Sequence, residues 1–218
     1  MPQITLKTAF HTLKKSYKPP RTFLNYTTPF QLLVATLLSA QCTDAMVNKV
    51  TQELFKKYPG PKDFTKLTQA KLEKEIHSTG FFRTKAKHVL ALSHILIQKY
   101  SSEVPRTMDE LTALPGIGRK TACIILYAAF GKSEGIAVDT HVLRLARRLG
   151  LTKQSDPKRV EQDLMKALPR THWGELTPLM ISHGRAVCVA RNRRCSACLF
   201  QQDCPSSLVM RKKDRAKR

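Results

Sequence analysis

Leu114-Pro115-Gly116-Ile117-Gly118-Arg119-Lys120-Thr121 is the stretch whose residue types and spacing best suit chemistry. Two glycines two positions apart let the backbone turn tightly and come close to another surface. The amides of Gly116, Ile117 and Gly118 are then expected to face outward at a helix N-terminus, a ready anion site, with Arg119 beside them. Glycine spacing alone fits an ordinary helix–helix turn equally well. Lys120 sharpens the choice, because an amine at the head of so apolar a helix is unexpected unless it is used. There the helix dipole and partial burial both disfavour the ammonium form. A pKa lowered from about 10.4 toward neutrality is what an amine nucleophile needs. A surface lysine contacting phosphate fits the same residues and is the plainer reading of them. Downstream, Ala137-Val138-Asp139-Thr140-His141 puts a carboxylate at or just before a helix start, where it is held ionised. As a cap Asp139 needs no further explanation. As a catalytic group it would help unload the lysine's proton and stabilise positive charge developing on a substrate.

The second constellation is Cys188-x6-Cys195-x2-Cys198-x5-Cys204. In a reducing compartment four thiolates in one short loop imply a closed metal site. The spacing fits structural zinc and an iron–sulfur cluster alike. Arg191, Arg193 and Arg194 lie between the first two cysteines, and pinning that loop would aim their guanidiniums at phosphates. A solvated basic loop on a structural clip is the plainer alternative. Cys42 and Cys123 stand alone in apolar surroundings and read as inert buried thiols. His183 reads as a packed, hydrogen-bonded histidine, His141 as a first-turn helix residue, and Trp173 as core.

The elements that must position these groups are helical. Thr68 can cap a helix through Ser78, with Gly80 at its C-terminal end. Thr107 with Glu110 reads as a capping box, and Asp156 before Pro157 as an N-cap with proline in the first turn. Thr121 to Phe130 is apolar nearly all round and stops at Gly131, the pattern of a buried central helix. No alternating strand pattern of useful length appears, so the fold class is all-α. The tail from Arg211 has no apolar face and is expected to be disordered.

With 218 residues, 42% of them hydrophobic, the chain can bury one large core or two small ones. Its 38 Lys+Arg against 16 Asp+Glu give a formal charge of +22. Such an excess costs self-repulsion unless a polyanion is near, so nucleic acid is the first candidate partner and an anionic membrane surface the second. Lysines interrupt the N-terminus, and the longest apolar stretch, Leu32 to Leu38, is too short to cross a bilayer. A cytoplasmic protein, nucleoid-associated in a prokaryote, with no membrane partner, is expected.

Leu114 to Leu149 resembles the helix-hairpin-helix, Gly/Pro-rich loop and aspartate that define the DNA-glycosylase superfamily of that name. Resemblance to the endonuclease III family runs nearly the whole chain. It includes Leu38-Ser39-Ala40-Gln41 with Thr43-Asp44 and Val47-Asn48-Lys49, then Gly80 to Ala86, and His183-Gly184-Arg185 leading into Cys188. The resemblance implies two helical lobes with a cleft between them. A barrel-like domain would span 21–131, and a second would join 1–20 to 132–218 with a cluster loop at 188–204. It implies a [4Fe–4S] cluster on the four cysteines. It also implies a monomer acting on double-stranded DNA that contains damaged bases, oxidised pyrimidines by default, or abasic sites. Lys120 would attack the sugar with Asp139 as partner, Gln41 would fill the gap left by an extruded base, and Phe81 would wedge into the opposite strand. Phe81 is bulkier than the family's usual aliphatic wedge, and Cys42 stands where a smaller residue is common.

Three alternatives share these features in part. Adenine-mismatch glycosylases use an acid in the helix before the gap-filling segment and lack the lysine, whereas Phe30 to Ala40 contains no acid and Lys120 is present. A mismatch thymine glycosylase differs mainly inside the base pocket. A non-catalytic DNA-binding module with a structural metal would not need Lys120 and Asp139 at the family spacing.

Overall fold

Side-chain caps mark where most helices begin. In the computed structural model, which describes residues 4–209, Thr5, Thr28, Thr43, Thr68, Thr107, Asp139 and Asp156 each accept an amide hydrogen from the helix turn that follows. The helices are α1 (Leu6–Ser16), α2 (Pro29–Leu38), α3 (Asp44–Lys57), α4 (Pro61–Phe64), α5 (Gln69–Ile76), α6 (Phe82–Tyr100), α7 (Met108–Thr112), α8 (Arg119–Phe130), α9 (Thr140–Arg148), α10 (Pro157–Ala167) and α11 (Trp173–Ala186). No strand occurs among the described residues, so the fold is all-α. The basic tail from Arg211 lies outside the described residues. No helix among the described residues is long and apolar enough to cross a membrane.

The chain divides into two compact units, Thr22–Lys132 and Met1–Arg21 with Ser133–Arg218. In the first, α2 runs through the core, every residue from Phe30 to Leu38 being buried. Its polar members are satisfied locally. The Gln31 carbonyl accepts from the Thr27 amide and hydroxyl, and the Thr36 hydroxyl donates to Leu32 O at 2.7 Å. The buried central helix expected from the sequence is α8, which packs on α2. It starts at Arg119 rather than Thr121, so Lys120 belongs to its first turn. Gly131, at φ +68°, closes it in the left-handed conformation. The helix that Thr68 caps ends at Ile76 and tightens into a 3-10 turn over His77–Thr79 before Gly80. At Thr107 the pairing differs from the reciprocal box expected. Its hydroxyl accepts the Glu110 amide and donates to the Glu110 carboxylate, which does not reach back to the backbone.

The second unit packs α1, α9, α10 and α11 around Phe10, Leu13, Leu145, Leu164, Leu176 and Met180. Helix α9 presents Val142, Leu145 and Ala146 to this core and keeps Arg144, Arg147 and Arg148 off it. It crosses α11 closely at Gly184, where a β-carbon would stand 2.7 Å from His141 Nδ1. Trp173 is half-buried against the same core and donates its indole N–H to Leu168 O at 2.8 Å.

Candidate active site

In the unit Thr22–Lys132 the hairpin runs from α7 through residues 113–118 into α8. Leu114 and Ile117 are buried and pin the turn to the core. Gly116 sits at φ +77° beneath the His88 ring of α6. A β-carbon at Gly116 would stand 2.6 Å from His88 Nδ1, so glycine is required there twice over. The Ile117 amide, expected to face outward, instead donates to Leu114 O at 3.1 Å and closes the turn. The Gly116 and Gly118 amides have no backbone partner among the described residues. Beyond Gly118, the first-turn amides of α8 have no intrahelical acceptor, as at any helix start. An anion cradle therefore rests on the glycine amides and the α8 N-terminus, without Ile117.

Lys120 is exposed, contrary to the partial burial expected. Helix side chains lean toward the N-terminus, and at the second residue of α8 that direction leads off the helix end into solvent. Arg119 is exposed beside it.

Two further residues of this unit share a backbone peculiarity. Gln41, between α2 and α3, has φ +53°, and Phe81, the residue before α6, has φ +48° and ψ +28°. Non-glycine residues in the left-handed region cost about 1–2 kcal/mol each, and such strain persists where the surroundings over-determine it. Both side chains are exposed, Phe81 to 66%, which makes it the most exposed of the large apolar residues described. Lys85, one turn into α6, is buried at 4% exposure and donates from Nζ to Leu38 O and Thr79 O, each at 2.8 Å. Burial pushes its pKa down, opposed weakly by the Cys42 thiol. Cys42 is itself only half-buried, whereas Cys123 is buried as expected.

In the other unit Asp139 caps α9, its Oδ1 accepting from the Val142 amide at 2.8 Å. The approach to it, Ile136-Ala137-Val138, is buried, and the Thr177 hydroxyl of α11 donates to Ala137 O at 2.9 Å. The half-buried carboxylate is thus held on both sides.

The four cysteines of residues 188–204 line one pocket, together with Leu145, Leu149, Arg148, His183, Arg193 and Arg194. No three metal-ligating groups stand at metal-holding distances among the described residues. The chemistry of the donor set fits a thiolate-bound metal group nonetheless. Arg148 Nη1 donates to Cys188 Sγ at 3.3 Å and the Phe200 amide to Cys198 Sγ at 3.4 Å, as donors to thiolate sulfur do. Ser207 Oγ, buried on the same pocket, has no hydrogen-bond partner among the described residues. Burial pushes the Cys198 thiol up to about 11, with the other three thiols adding to it, and also raises Cys204. A cation is what would turn this set into thiolates.

Arginines expected to point at phosphate divide between two settings. Arg191 and Arg194 are exposed, whereas Arg193 is half-buried and its charge acts on Cys204. Arg148 was not singled out by sequence, yet it braces the loop through Val189 O at 2.8 Å and Ala190 O at 3.0 Å. Arg144 adds a bond to Cys188 O at 3.2 Å. His183 is buried as expected, sharing a 2.9 Å hydrogen bond with the Tyr17 hydroxyl; burial lowers its pKa to about 4.

The described residues thus form an all-helical chain with a glycine-turned hairpin ahead of an exposed lysine and, later in sequence, an aspartate that caps α9. The model of the HhH-GPD superfamily base excision DNA repair protein family matches residues 34–170. Endonuclease III of Synechocystis sp. is 50% identical over 195 residues, 89% of each chain. A structure of endonuclease III in a non-covalent complex with DNA superposes with TM-score 0.88 at 40% identity, covering 99% of this chain and all of the other. A trapped covalent endonuclease III–DNA intermediate gives 0.87 at 41%, over 98% of this chain and all of that one. The chain belongs to the endonuclease III family.

Proposed function

We propose that the protein is a DNA glycosylase and abasic-site lyase that excises damaged bases, oxidised pyrimidines among them, from double-stranded DNA. The observation that carries the reading is the exposed amine of Lys120 on the first turn of α8, directly after the glycine hairpin. The trapped covalent intermediate of a relative supports an amine nucleophile.

The target nucleotide leaves the stack, since its C1′ is unreachable within it. The glycine amides and the α8 N-terminus hold a backbone phosphate. The neutral Lys120 amine attacks C1′; the C1′–N bond breaks and the base departs with its electron pair and takes up a proton. Opening of the C1′–O4′ bond, with its electron pair going to O4′, which takes up a proton, leaves an iminium between Lys120 and the sugar. Loss of a C2′ proton then expels the 3′ phosphate by β-elimination, and water releases the enzyme. Asp139 supplies negative charge to the same reaction, helping to unload the lysine's proton and to stabilise the positive sugar. Gln41 occupies the space left by the base, and Phe81 enters the opposite strand.

The four cysteines would hold a [4Fe–4S] cluster. When bound, it supplies iron–thiolate bonds that cross-link residues 188–204 into one rigid loop. Arg191 and Arg194 on that loop add phosphate contacts, and the protein works at DNA in the cytoplasm.

The test is a panel of duplexes carrying single lesions, mismatches or abasic sites, incubated with and without alkaline treatment. Oxidised pyrimidines should be removed with scission that needs no alkali. Removal confined to mismatched thymine would replace the lesion class, and binding without any turnover would overturn the enzymatic reading.

A further inference from the structure

Lys85 takes no part in the chemistry above, yet it makes three bonds at the two strained turns. Its amide donates to Phe81 O at 3.1 Å, and its ammonium to Thr79 O, two residues before Phe81, and to Leu38 O, three before Gln41. Leu38 O is among the last carbonyls of α2, which have no intrahelical partner and carry the negative end of the helix dipole. Thr79 is the last residue of the 3-10 turn, which closes through the Gly80 amide onto His77 O at 3.2 Å, so Thr79 O itself is left to Lys85. One buried cation therefore satisfies two carbonyls at the roots of both exposed left-handed residues.

We propose that Lys85 is a positioning residue that ties the Gln41 turn to the Phe81 turn, so that both plugs are presented together. An alkyl chain spanning the core is a rigid strut only when its charged end is bonded. Losing that end orphans two buried carbonyls, a loss the turns can meet only by moving toward water. Left-handed φ at Gln41 and Phe81 would then relax, since the Lys85 ammonium bonds a carbonyl at each turn. This inference rests on the reading of Gln41 and Phe81 as plugs.

The experiment compares wild type, Lys85→Met, Lys85→Arg, the double variant Gln41→Ala/Phe81→Ala, and the triple variant that adds Lys85→Met. The readouts are single-turnover excision of an oxidised pyrimidine, affinity for undamaged duplex, and fluorescence of 2-aminopurine placed opposite the lesion. Lys85→Met should slow excision by about ten- to a hundred-fold, lose the fluorescence response, and leave undamaged-duplex affinity unchanged. Lys85→Arg, which keeps a cation and its donors, should recover most of the rate. In the triple variant Lys85→Met should add less than about a twofold loss, because the parts it positions are already gone. An undiminished loss in the triple variant, or wild-type rates for Lys85→Met, would overturn the proposal while leaving the plugs in place. Wild-type rates for the double variant would overturn the plug reading itself. If Lys85→Met does not fold, Lys85→Gln is put through the same cycle and judged by the same outcomes.

Discussion

His88 Nδ1 lies where a β-carbon on Gly116 would come within 2.6 Å, so the α6 imidazole and the hairpin turn are packed to backbone contact. Gly118, two residues on, has open space where a β-carbon would stand and an ordinary φ of −95°. Gly116→Ala should therefore lower the midpoint of thermal unfolding, by about 1–3 kcal/mol of stability, and weaken duplex binding. Gly118→Ala should stay within about 0.5 kcal/mol of wild type. Equal behaviour of the two variants would show that the hairpin does not depend on this contact.

The proposed role of Lys120 sets the reaction class to be tested. Borohydride should trap wild-type protein on damaged or abasic duplex, and Lys120→Ala should not be trapped while still binding DNA. Trapping of Lys120→Ala would assign the nucleophile to another amine.

Asp139→Asn keeps a possible cap on α9 but removes the charge. Base removal should fall by about a hundred-fold or more, with a smaller fall in cutting preformed abasic sites. The asymmetry follows from where charge develops: breaking the glycosidic bond makes the sugar positive, whereas an abasic aldehyde needs only a free amine. Matching losses in both assays would mean the carboxylate acts on the lysine alone.

The loop of residues 188–204 should purify with iron and inorganic sulfide, about four of each per chain, and a yellow-brown colour. Arg193→Ala and Arg148→Ala remove charges at Cys204 and Cys188, so cluster loss on dilution or oxidation should quicken in both. A colourless, folded, active protein with one zinc per chain would sink this assignment.

With a formal charge of +22, duplex affinity should fall steeply with salt. Arg191→Ala should lower the slope by about one unit without altering lesion preference, as a phosphate contact does. A changed preference at constant slope would take Arg191 off the backbone.

What sequence reveals here follows the range of the interactions. Thr68, Asp139 and Asp156 cap within three residues of themselves, so their roles can be read from neighbours alone. The apolar run from Thr121 to Phe130, stopped by Gly131, likewise marks α8 from neighbouring residues alone. Lys85 is different. Its carbonyl partner at Leu38 is 47 residues away, and a lysine in an amphipathic helix reads as solvated. Arg148 is hidden for the same reason, since its partners lie 40 to 42 residues downstream. Lys120 shows the opposite error. An apolar helix suggests burial, while the side-chain direction at a helix start carries the amine outward.

One unit is built from two stretches far apart in sequence, with α1 packed on α10 and α11, and roughly 160 residues separate α1 from α11. On a ribosome adding about 5–20 residues per second, that gap lasts roughly 10–30 s. Residues 22–132 are complete well before it closes and can fold as they emerge. Phe10 and Leu13 meanwhile wait without their partners, two apolar side chains on a nascent helix with nowhere to dock. Helix α1 is therefore made long before the helices it packs on, and it is there that a holding chaperone, or aggregation, has a long opportunity.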